Sequence, residues 1–125
     1  MHTWKYNGAE YECDICDYDS YEKLDGALTR LMAEMRGIDE PENGVRATVG
    51  EKLKRSCEVI GDFVASMFGQ EAREKICGDR LYLLNHSGAL ADFLCYIESE
   101  LQRLTESGEK LKNQLLSRIG NLGNA

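Results

Sequence analysis

A mostly α-helical α+β fold is predicted, with an N-terminal β-hairpin packed on a small helical domain and a long C-terminal helix. Three features of the sequence predict it. The 125 residues hold a single proline, which favours long uninterrupted helices over many short strands and turns. Apolar residues recur at spacings of three and four along most of the chain, the period of an amphipathic helix. Only the first stretch alternates with period two, around an Asn-Gly pair. A chain of this length fits one compact domain, residues 1–125.

Residues 4–16 read as the hairpin. Trp4 and Tyr6 precede Asn7-Gly8, and Tyr11, Cys13 and Ile15 follow it with period two. Two short strands are barely stable alone, so the hairpin needs a helix or another sheet to pack on. Asp17 or Asp19 then caps a helix over 18–36, whose apolar positions are Leu24, Leu28, Leu31, Met32 and Met35. Gly37 reads as its C-terminal stop. Residues 37–46 hold the proline and two glycines and form the main loop. A second helix spans 48–68, with the stripe Val49, Leu53, Cys57, Ile60, Val64, Met67 and Phe68 and with Phe63 beside it. Gly69 ends it. A short helix over 70–77 turns Ala72, Ile76 and Cys77 inward. Leu81-Tyr82-Leu83-Leu84 follows as either a strand or the start of the next helix.

The last helix covers about 87–119. Leu90, Phe93, Leu94, Ile97, Leu101, Leu104, Leu111 and Leu115 form its stripe, and Gly108 takes the one missing place. Such a helix is on the order of 50 Å long, more than a domain of this size is wide. Two readings follow. Either Gly108 stops the helix and the chain folds back, or the helix projects and its seam docks on a partner or a second copy. The candidate interface residues are Ile97, Leu101, Leu104, Leu111 and Leu115.

Charge and composition narrow the classes of function. The formal net charge is −7. Residues 1–40 carry four Lys/Arg against ten Asp/Glu, and residues 99–125 carry four against three. Nucleic-acid affinity needs a basic face, so no nucleic acid is expected as a partner. No stretch approaches the roughly 20 apolar residues of a membrane span, and the N-terminus lacks a signal pattern. The expected location is therefore the cytoplasm, with no membrane association.

Five cysteines, Cys13, Cys16, Cys57, Cys77 and Cys95, make an odd set without a secretion signal, which argues against a disulfide framework. Cys13-Asp14-Ile15-Cys16 supplies one CxxC pair, but structural zinc usually takes a second close pair. No metal or cofactor is expected. The cysteines read as packing residues, with Cys57 and Cys95 on apolar helix faces. No catalytic residue stands out, so the chain is read as a non-enzyme. Asn85-His86-Ser87-Gly88 reads as a helix cap rather than a catalytic pair, and no GxGxxG or GxxxxGK sequence occurs.

Several stretches resemble a family of small phage and prophage proteins of Gram-positive bacteria encoded among tail genes. They are Trp4 to Glu12, the acidic cap Asp17-Tyr18-Asp19, and Tyr21-Glu22-Lys23-Leu24-Asp25. Better matches are Cys57 to Phe63, Met67-Phe68-Gly69, Glu74-Lys75-Ile76-Cys77-Gly78, Ala89 and Asp92-Phe93-Leu94. The resemblance covers residues 4–97 and implies a tail assembly chaperone, which holds the α-helical tape measure protein soluble until the tail tube encloses it. Members commonly finish in an arginine-rich tail. This chain ends Arg118-Ile119-Gly120-Asn121-Leu122-Gly123-Asn124-Ala125 instead, so nothing of that tail carries over. The expected partner is a protein in the host cytoplasm, with a homo-oligomer also expected. The alternatives are a phage-encoded inhibitor of a host defence protein, using the acidic N-terminal third, and a self-associating structural protein.

Overall fold

The computed structural model describes residues 2–41 and 43–123, the last six as backbone only. Strands β1 (Thr3–Tyr6) and β2 (Ala9–Glu12) pair antiparallel, with Trp4 opposite Tyr11 and Lys5 opposite Glu10. Asn7 and Gly8 connect them, both at positive φ (50° and 79°). That is the mirror-image turn whose twist matches the strands, and it demands residues that tolerate left-handed backbone. Period two puts Lys5 and Glu10 in solvent, while Trp4 points inward. A further bond from Cys13 N–H to the His2 carbonyl, 3.0 Å, extends the pairing.

Four helices follow. Helix α1 (Tyr18–Ile38) is capped by Asp17, whose carboxylate accepts from Ser20 N–H at 3.0 Å. It runs past the expected stop at Gly37. Ile38 is buried at its end, and that burial outweighs the roughly 1 kcal/mol helix penalty of a glycine. Met32, expected on the inner stripe, is instead exposed. Helix α2 (Val49–Phe68) is capped by the Thr48 hydroxyl, which accepts from Glu51 N–H at 3.2 Å. Its buried face is Cys57, Ile60, Gly61, Phe63 and Val64. Val49 and Leu53 of the expected stripe stay exposed, and the buried face of α2 begins only at Cys57. A Cβ at Gly61 would come within 2.5 Å of Arg73. Its absence lets the guanidinium cross the helix and donate to Asp62 at 2.9 Å. Helix α3 (Gln70–Cys77) and helix α4 (Leu83–Gly123) complete the chain.

The ambiguous run 81–84 resolves as the approach to α4, so that helix begins earlier than residue 87. The cap reading of Asn85 to Gly88 is therefore corrected. His86 lies inside the first turns, buried, with its ring Nδ1 2.9 Å from the Tyr82 carbonyl. Helix α2 packs against α1, α3 and α4, and the hairpin lies on α4. Their shared core holds Trp4, Cys13, Ile15, Leu24, Leu31, Ile60, Phe63, Val64, Ile76, Cys77, Phe93 and Ile97. Trp4 sits at its middle, with ring centroids 5.1 Å from Phe93 and 5.7 Å from Phe68. Fold class and architecture are as the sequence predicts.

Candidate protein-binding surface

Helix α4 is 41 residues, roughly 60 Å long, and its halves have different surroundings. In the first half one face is buried at His86, Ala89, Phe93, Ile97 and Glu100, at the spacing of three and four that keeps residues on one side. From residue 101 to 117 every residue is exposed. Gly108 does not stop the helix, and a Cβ there would meet nothing within 4 Å. Over the described residues the chain does not fold back. The second half projects.

Three long-range bonds fix where the projection starts. The Trp4 indole donates to Asp92 at 2.8 Å, and the Tyr96 hydroxyl donates to the Cys13 carbonyl at 2.7 Å. Glu100, buried, lies 2.8 Å from His2 Nδ1 and accepts from Arg103 at 3.3 Å. Burial, with Glu100 nearby, pushes the Tyr96 hydroxyl up to about 12, which keeps it a donor. Among the described residues the hairpin end thus reaches along α4 as far as Glu100.

The candidate residues divide at that point. Ile97 was expected in the docking seam and is only 6% exposed, packed in the chain's own core. That assignment is corrected, because the hairpin reaches past Ile97 to Glu100. Leu101, Leu104, Leu111 and Leu115 are 42%, 43%, 58% and 50% exposed. They continue the line of the buried stripe into solvent. Leu116, beside Leu115, adds to the open apolar surface, and only its neighbour's periodicity pointed there. Leu94, next to Ile97 on the helix, is also exposed on the flank of the body.

Cys13, Cys57 and Cys77 are buried, and burial pushes each thiol up, away from the reactive thiolate. Cys16 and Cys95 are exposed, which corrects the packing assignment for both. Cys95 is two residues from Phe93 and from Ile97, so it faces the opposite side of the helix. Cys16 lies just past the buried Ile15, in the turn where its N–H donates to Asp14 at 2.9 Å. Among the described residues no three His, Cys, Asp or Glu side chains gather in a way that could hold a metal ion. None of the described helices is long and apolar enough to cross a membrane. The acidic residues Asp17, Asp19, Glu22 and Asp25 stand exposed at the start of α1.

A family model matches residues 7–118, from the hairpin turn to the projecting helix. The chain belongs to DUF6673, a family of unknown function. The DUF6673 match takes in both the buried and the projecting halves of α4. No curated protein and no solved structure matches the chain.

Proposed function

We propose that this DUF6673 chain is a protein-binding module that docks an α-helical partner along Leu101, Leu104, Leu111 and Leu115. The observation behind this reading is the leucine stripe itself, which runs from the core, with a single gap at Gly108, onto a helix that none of the described residues covers. Covering such a stripe is favourable by roughly 25 cal/mol per Å² of apolar surface, before ordering costs. Helical clients that are enclosed late in assembly expose stripes of the same kind. Together with the resemblance to phage tail-gene proteins, this makes a tail assembly chaperone in the host cytoplasm the preferred setting, with the tape measure protein as client.

The test is co-expression of the chain with the tape measure protein of the same genome. The expected result is a soluble complex that forms with the wild type and fails with Leu104→Glu. An equally insoluble tape measure with and without the chain would overturn the reading. The exposed acidic start of α1 favours a second reading, an inhibitor that masks a basic surface of a host defence protein. Salt separates the two, since charge masking weakens steeply with ionic strength whereas an apolar seam does not.

A further inference from the structure

The projecting seam has a notch and a charge pattern. Read as heptads, Leu94, Leu101, Gly108 and Leu115 fill one seam position, and Ile97, Leu104 and Leu111 fill the other. Gly108 is the notch, open on all sides within an unbroken helix. In a parallel pair of these helices, each layer sets a residue against its own copy. Gly108 would then face Gly108, leaving an empty layer between Leu104 and Leu111. In an antiparallel pair the two seam positions face each other. One register sets Leu101 on Leu111 of the second copy and Leu104 over Gly108 of the second copy, so every layer holds at least one leucine.

The charges select the same register. Glu98 and Lys112 share one flanking heptad position, both are exposed, and neither has an ion pair among the described residues. The antiparallel register brings this edge of each helix against itself about Thr105, which puts Glu98 against Lys112 of the second copy, twice per pair. A parallel pair would instead match Glu100 with Thr105 and Ser107 with Lys112, with no opposite charges. Glu100 is in any case held by His2 and Arg103. Beside the body one of the two seam positions stays open. Ile97 is closed into the core, but Leu94, at the same seam position as Leu101, is 40% exposed. Leu94 is therefore available to a helix laid on Leu101 to Leu111.

We infer that the seam is occupied by a second copy of this chain, paired antiparallel, with Leu104 of each copy filling the notch at Gly108 of the other. This rests on the reading of the seam as a docking surface, and it makes a helical client a competitor of the second copy.

Analytical ultracentrifugation of the full chain tests it. The wild type sediments as a dimer. Glu98→Lys and Lys112→Glu each weaken the dimer about tenfold, since each exchanges two ion pairs for two like-charge contacts. The double variant returns to near the wild-type affinity. Gly108→Leu weakens the dimer further, because it crowds Leu104, whereas in a parallel pair it would fill the empty layer and strengthen association. A dimer that ignores the charge exchanges and tightens with Gly108→Leu overturns the register. A monomer at the highest soluble concentration overturns the second copy as occupant. A leucine-heptad helical peptide then serves as probe. If its binding is lost on Leu104→Glu, only the second copy falls. If Leu104→Glu changes nothing, the docking reading falls with it.

Discussion

Helix α4 carries one apolar stripe through two environments. Up to Glu100 the stripe meets the hairpin and helices α2 and α3, and Phe93 alone lies within 6 Å of the rings of Trp4, Phe63 and Phe68. From Leu101 the same periodicity continues with no part of the described chain against it. The two halves share one helix and one period, and they differ only in what faces them. A helix in water without tertiary packing is marginal, since most helical stability comes from the apolar face. The first half is held by its core. The second has the pattern of a packed helix without packing from the described residues, and the proposed docking rests on that contrast.

The largest expected effect separates the halves directly. Phe93→Ala should remove about 3–5 kcal/mol of stability, as large-to-small changes in aromatic cores do. Leu111→Ala should stay within about 0.5 kcal/mol under conditions that keep the chain monomeric. Urea unfolding of the two variants checks the contrast, and equal losses would break it. Asp92→Ala comes next. It strips the acceptor from the buried Trp4 indole, at a cost of about 1–3 kcal/mol. Hydrogen exchange should show the loss in β1 and β2 while residues 101–117 exchange as in the wild type.

Alkaline pH should also act on the body rather than on the projection. The Tyr96 hydroxyl, pushed from 10.0 up to about 12 in the folded chain, keeps its proton longer folded than unfolded. Its contribution is therefore full below pH 10 and is lost as pH rises toward 12. The Cys13, Cys57 and Cys77 thiols, raised from 9.0, act with the same sign from pH 9 upward. Melting curves should fall through this window, and Tyr96→Phe should flatten part of the fall. A melting temperature independent of pH between 9 and 12 would contradict the burial of these groups. The smallest effect is chemical. Cys16 and Cys95 should react promptly with a thiol reagent in the native protein, and the other three only on unfolding.

Local signals in the sequence carried most of the fold. Asn7-Gly8 between alternating residues defines the hairpin, and the apolar stripe and Gly69 mark α2. The misses are tertiary. Gly37 looks like a helix stop, but a place for Ile38 in the core carries the helix through it. Asn85-His86-Ser87 looks like a cap because its residue types are capping types, yet the helix starts earlier and buries the imidazole. Cys95 sits among apolar neighbours in sequence and faces away from them on the helix. The division between Ile97 and Leu101 was hidden for the same reason. It is set by the reach of the hairpin, through a contact between His2 and Glu100 that spans 98 positions, and periodicity says which side a residue faces without saying what covers it.

Leu104→Glu tests the central claim most directly. Leu104 is 43% exposed in the projecting half, one turn before Gly108. Circular dichroism melting and light scattering on this one variant are the measurement. The expected result is a folded protein whose body melts as the wild type does and whose self-association or client binding is lost, because the new carboxylate meets water once the partner leaves. If Leu104 instead belonged to the chain's own core, the same change would bury an unpaired charge and cost several kcal/mol. A collapse in melting temperature with no change in association would contradict a projecting, partner-binding helix.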